Sequence, residues 1–133
     1  MKIENIKFKA KRLDNGEWCE GYFYEENGNT YIIENRQKES MLNRNITNQV
    51  DPDTVCQFTG LKDRDGNEVW EGDILEREIP KGTSDVVIRR AAVEFDEGHF
   101  ALGYNMTYPL GYTLGEGLFR VVGNVFDEKE GEK

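Results

Sequence analysis

Gln57-Phe58-Thr59-Gly60-Leu61-Lys62-Asp63-Arg64-Asp65-Gly66-Asn67-Glu68-Val69-Trp70-Glu71-Gly72-Asp73-Ile74 is the stretch whose reading decides the fold. It begins in a β-branched and aromatic run, Thr54–Phe58, and passes into a polar turn, Lys62–Asn67. Gly66 stands in that turn where the backbone needs a positive φ, which a residue without Cβ adopts cheaply. Glu68-Val69-Trp70 is the return strand, Glu71-Gly72-Asp73 a sharp reversal, and Ile74-Leu75 the start of a further strand. Short apolar runs separated by Gly, Asp and Asn are the pattern of antiparallel β structure.

The same grammar holds on both sides. Upstream, Ile6, Phe8 and Ala10 alternate with Asn5, Lys7 and Lys9, the period-two signature of a half-buried strand. Asn15-Gly16 and Asn27-Gly28 are hairpin signals that flank a strand at Glu17–Tyr24 and precede one at Thr30–Ile33. Glu34–Gln49 is polar and irregular, with Met41, Leu42 and Ile46 as its large apolar residues, and is read as a connecting segment. Asp51-Pro52-Asp53 marks a boundary. Downstream, Glu78–Asp85 is read as a loop containing Pro80 and Gly82. Val86–Phe95 is the longest strand candidate, and Asp96-Glu97-Gly98 turns it into His99–Tyr104. Asn105–Gly117, rich in Gly and Tyr, reads as a long loop, and Leu118–Phe126 as the closing strand. The expected fold class is mainly β. An N-terminal β-meander subdomain occupies 1–50, a second β subdomain 51–127, and a flexible acidic tail 128–133.

Composition bounds the rest. A chain of 133 residues with 37% hydrophobic and 11% aromatic residues can bury a core without staples. No apolar run approaches the length that spans a bilayer, and Met1–Ile6 lacks the apolar segment of a secretory signal, so a cytoplasmic location is expected and no membrane partner. Cys19 and Cys56 are then expected as reduced, small core residues. A formal net charge of −9 disfavours nucleic acid and anionic lipid at long range. Against that stands a basic start at Lys2, Lys7, Lys9, Lys11 and Arg12, with a smaller basic spot at Arg89-Arg90. In a strand, Lys7, Lys9 and Lys11 point away from Phe8, whereas single-strand binding wants cations and aromatics presented together. Arg89-Arg90 reads equally as a guard on an edge strand.

Motifs with chemistry fail on spacing. Asp63-Arg64-Asp65-Gly66 resembles the middle of a calcium loop, but Leu61 and Gly72 then fall where its first and twelfth ligands belong. Gly115-Glu116-Gly117 meets Arg120 where a dinucleotide fingerprint needs its third glycine. His99 is the sole histidine, with no serine elbow to serve. No catalytic residue, metal or cofactor is therefore assigned, and no enzyme is expected. The residues left for function are aromatic. Trp70, Tyr104, Tyr108, Tyr112 and Phe119 exceed what one small core needs. Trp70 and Tyr104 are read as core. Tyr108, Tyr112 and Phe119 are assigned to a contact surface.

The central string resembles the hallmark segment of the YopX family of phage and prophage proteins. Ile6–Lys11 with Gly16-Glu17-Trp18 and Gly21-Tyr22, Asp51–Val55, and the closing Val121-Val122-Gly123-Asn124-Val125-Phe126 are similar to the same family. Asp127-Glu128 stands where that family usually has Asn-Pro. The resemblance implies a C-terminal half similar to an SH3-type small barrel, a bacterial host cell, and self-association as a homo-oligomer. It supplies no catalytic residues. Its recurring positions here are Thr59, Gly60, Leu61, Gly66, Gly72, Asp73, Gly123 and Asn124; with Trp70 they are read as structural. The expected function is a non-enzymatic interaction or self-assembly module whose partner is itself, a phage protein or a host protein. The alternative is a regulator or decoy acting on host nucleic-acid machinery.

Overall fold

In the computed structural model, residues 2–35, 45–82, 84–104 and 108–127 are described. The readings of Met41-Leu42 and of the acidic tail fall outside them. The protein is mainly β, with two antiparallel sheets and little helix. It divides into two units, Met1–Phe58 and Thr59–Lys133. The division falls inside a strand, eight residues beyond the Asp51-Pro52 boundary that the sequence suggests.

The first unit carries β1 (Phe8–Lys11), β2 (Trp18–Glu26), β3 (Asn29–Asn35), β4 (Asn45–Val50) and the start of β5 (Cys56–Lys62). Hairpins join β1 to β2 and β2 to β3, and β5 lies on the other side of β1 through Phe8↔Gln57 and Lys9↔Cys56. The segment read as irregular ends in a true strand, β4, in register with β3 from Asn35↔Asn45 to Thr30↔Val50. The end of β4 meets the end of β1 in an Arg12↔Val50 bridge, backed by bonds from Leu13 N to Gln49 O (3.0 Å) and from Asp51 N to Lys11 O (2.9 Å). That curl lets four short strands enclose Ala10, Cys19, Ile32 and Val50, with Phe8 and Val55 packed against them. Both cysteines are buried and unbridged. Burial raises the Cys19 thiol above its ordinary pKa, and the nearby Glu34 charge adds to the shift.

The second unit takes the rest of β5, then β6 (Glu68–Trp70), β7 (Asp73–Lys81), β8 (Asp85–Asp96), β9 (His99–Leu102), α1 (Leu110–Leu114) and β10 (Arg120–Asn124). Four strands form a sheet in the order β10-β7-β8-β9. Among the described residues no pairing joins β9 to β10, so this order is open. Its core is Val69, Leu75, Val93, Leu102, Leu110 and Phe119.

Two expectations change here. The loop read at Glu78–Asp85 is mostly strand, because β7 runs on through Pro80 to Lys81, paired with β8 from Ile74↔Ala92 to Lys81↔Asp85. Pro80 survives in a strand because β10 pairs with β7 no further than Arg120↔Glu76, so the outer edge of β7 needs no N–H there. The loop read at Asn105–Gly117 contains α1, whose Leu110 is buried in the core.

Candidate functional site

The hallmark segment folds as a set of corners. Thr59 sends its hydroxyl to Val69 O (2.6 Å) and receives Leu61 N (3.2 Å), tying β5 to β6 beside Gly60. Leu61 packs half-buried against the core. Gly66 takes φ +85° in the turn between those strands.

Asp63, read in the sequence as one residue of a polar turn and rejected there as a calcium ligand, organises this turn. One carboxylate oxygen accepts Asp65 N (2.9 Å) and Asn67 N (2.8 Å). The other accepts Asn67 Nδ2 (3.4 Å) and, 58 residues away in sequence, Val121 N of β10 (2.8 Å). Burial alone would push this carboxyl up; the N–H donors of Val121, Asn67 and Asp65 outweigh it and hold the pKa below the ordinary value. An oxygen pair filled by N–H groups is an anion's site, the opposite of a cation's.

Asp73 repeats the device at the next corner. It accepts Trp70 N (2.7 Å) on one oxygen and Asn124 Nδ2 (3.0 Å) on the other, and all three residues are buried. Gly72 between them takes φ +87°, donates to Val93 O (2.9 Å) and accepts from Val125 N (2.9 Å). Asn124 Oδ1 in turn accepts Phe126 N (2.9 Å). Gly123 lies where the β10–β7 ladder shifts register, two residues of β10 opposing one of β7. The hallmark and the closing motif are thus two halves of one hydrogen-bonded joint.

The aromatic candidates separate. Tyr108 and Tyr112 stack with ring centroids 5.2 Å apart and are 49% and 64% exposed, held out by α1 while Leu110 anchors that helix inside. Phe119 is only 2% exposed and packs in the core beneath Arg77, so it cannot present its ring to a partner. Trp70 is buried, as a core residue should be. Tyr104 is not core; it is half exposed, with the Arg89 guanidinium 4.6 Å from its ring centre. A glycine-rich context gave no signal to tell the inward Phe119 from the outward tyrosines.

The charged clusters are largely self-satisfied. Lys7 Nζ lies 4.7 Å from the Phe58 ring centre, and Lys9 and Lys11 lie 4.6 and 5.4 Å from that of Trp18. Glu76 is gripped by Arg90 Nε (2.7 Å) and Arg120 (3.1 Å), and those two hydrogen bonds hold its pKa below the ordinary value. Arg12 pairs with Asp14 (2.7 Å) at the rim of an open polar hollow shared with Thr47, Asn48 and Gln49. Among the described residues, no three His, Cys, Asp or Glu side chains stand together as metal ligands, and no helix is long and apolar enough to cross a membrane.

Comparison with known proteins gives three results. The profile of a family described as YopX protein matches residues 7–130. A crystal structure of protein EF1440 from Enterococcus faecalis superposes with a TM-score of 0.57 at 22% identity, over 96% of this chain and 98% of that one. No curated protein matches the chain.

Proposed function

The chain belongs to the YopX family, and we propose that this member is a non-enzymatic protein-interaction or self-assembly module of phage or prophage origin, acting in the bacterial cytoplasm. The observation that carries the reading is the Tyr108–Tyr112 stack, two large rings turned to solvent, Tyr112 on a short helix that Leu110 pins to the core and Tyr108 just before its N-cap Pro109. Rigid aromatic faces are what dominate interface energetics, and pre-stacking lowers the entropy lost on binding. The family positions Thr59, Gly60, Leu61, Gly66, Trp70, Gly72, Asp73, Gly123 and Asn124 are read as architecture, since their polar atoms face one another and the backbone. The SH3-type comparison belongs to the same reading. Its supports are a single helical turn before the last strand, and a last strand that returns to pair with the first of the sheet.

The nucleic-acid alternative draws less support. The Lys7, Lys9 and Lys11 ammoniums lie against Phe58 and Trp18, aromatic faces on which bases would have to stack.

The test is a Tyr108→Ala/Tyr112→Ala double variant. Both residues are exposed, so folding should be unchanged within about 0.5 kcal/mol. In tagged capture from the host, with nuclease present, wild type should hold a stoichiometric protein that the double variant releases. Equal association by both proteins would refute the assignment.

A further inference from the structure

We propose that the outer edge of β8 is a self-pairing strand: Asp85-Val86-Val87-Ile88-Arg89 joins the same segment of a second copy, antiparallel and centred on Val87. The proposal rests on the assembly reading above but on different residues from the tyrosines, so the two can fail separately.

The β7–β8 hairpin outruns its sheet. On one side β10 reaches no further along β7 than Glu76, and on the other β9 covers β8 only from Val93 to Asp96. Between Asp85 and Ala92, no strand among the described residues pairs with the outer edge of β8. A bare two-stranded ribbon is marginal in water, yet this one carries three consecutive exposed apolar residues: Val86 at 55%, Val87 at 40% and Ile88 at 48%.

The register follows from backbone direction and charge. Gly103 N donates to Ala92 O, so the polar backbone atoms of Ala92 face the β9 side, while Val93 O faces the other way and accepts Gly72 N. Alternation along an unbroken strand then puts the N–H and C=O of Val86, Ile88 and Arg90 on the open edge. Two copies related by a twofold axis must match outward residues with outward residues. Centring on Val86 or Ile88 brings Val87 opposite Asp85 or Arg89 respectively. Centring on Val87 places Val86 opposite Ile88, Val87 opposite itself, and Asp85 opposite Arg89 at both ends.

That arrangement also answers a conflict inside the chain. Arg77 stands directly opposite Arg89 across the hairpin, and like charges at such positions repel. In the pair, Asp85 of the second copy arrives on the other side of Arg89. Asp85 itself would lie between Lys81 of its own chain and the incoming Arg89. On the same face, Ile79 and Val87 of each copy line up into one apolar strip across four strands. Arg89 over Tyr104 keeps its N–H edges available while its face is stacked. Flanking charges of one sign would have guarded this edge; charges of opposite sign select one partner, itself.

The test combines sedimentation equilibrium from about 1 μM to about 1 mM with four substitutions at exposed positions. Wild type should show a monomer–dimer equilibrium. Asp85→Arg alone and Arg89→Asp alone should each weaken it by roughly tenfold or more, and the two together should restore it to within about threefold. Val87→Cys should form a covalent dimer under mild oxidation, because residues facing each other across a non-hydrogen-bonded pair lie within disulfide reach; Val86→Cys should not. A monomer throughout this range overturns the proposal. So does a dimer that ignores both charge reversals and is not trapped through Val87→Cys.

Discussion

Replacing Asp63 by alanine removes the group that fastens the hallmark turn to the last strand. Its carboxylate accepts three backbone N–H groups, from Asp65, Asn67 and Val121, at 2.8–2.9 Å. A hydrogen bond to a charged acceptor contributes about 1.5–3 kcal/mol, but the sum is not additive. Asp65 and Asn67 are exposed, so their N–H groups can turn to water. Val121 N loses its partner at a half-buried site and bears the larger penalty. The expected destabilisation of the second unit is about 2–4 kcal/mol for Asp63→Ala and roughly half that for Asp63→Asn, which keeps one acceptor oxygen. Urea unfolding followed by Trp70 emission in a Trp18→Phe background reads this as a midpoint shift of roughly 1–2 M. The sign with pH is fixed. The folded pKa lies below the ordinary value, so the contribution is present above the unfolded pKa of about 3.9 and is lost as pH falls through the folded value. The gap between wild type and Asp63→Asn should therefore narrow on acidification. A midpoint shift indistinguishable from zero for Asp63→Ala would refute this reasoning.

Two further outcomes are expected. Gly21→Ala should destabilise the first unit by about 1–3 kcal/mol or more, since the added Cβ would run into the Ile33 carbonyl, backbone that cannot swing aside; limited proteolysis at β2 and β3 measures it. Glu76→Gln should lower the stability of the second unit at neutral pH, because Arg90 and Arg120 lose their shared carboxylate. The Glu76 pKa is lowered on folding, so the difference between wild type and Glu76→Gln should fade as pH falls through that depressed value, as acid titration of unfolding would show.

What could be read from the sequence was what local chemistry decides. Asn27-Gly28, Asp63–Asn67 and Glu97-Gly98 announce turns through residues that tolerate positive φ, and the structure has turns at each. Period-two alternation located β1, and the long apolar-rich run Val86–Phe95 located β8. β4 was missed because Asn45–Val50 has only Ile46 and Val50 as apolar residues; its ladder with β3, a long-range partner, makes it a strand. α1 is five residues long, too short to show helical periodicity. Pro80 masked the far end of β7, whose tolerance for proline depends on where another strand stops. The site divides in the same way. Gly72 and Asp73 are legible as a tight corner, but nothing local says that Asp73 reaches Asn124, or Asp63 reaches Val121. Such partners are fixed by tertiary packing. So is the difference between Phe119, which the core swallowed, and Tyr112, which it left outside.

The central claim is that the hallmark segment is architecture and that contacts with other molecules lie elsewhere. Amide hydrogen exchange on the intact protein, compared between dilute and concentrated solution, tests it most directly. The account predicts that peptides covering Gly60–Asp73 are equally protected at both concentrations, while the peptide covering Asp85–Arg89 gains protection as copies associate. Protection that rises with concentration in Gly60–Asp73 and stays unchanged in Asp85–Arg89 would contradict it.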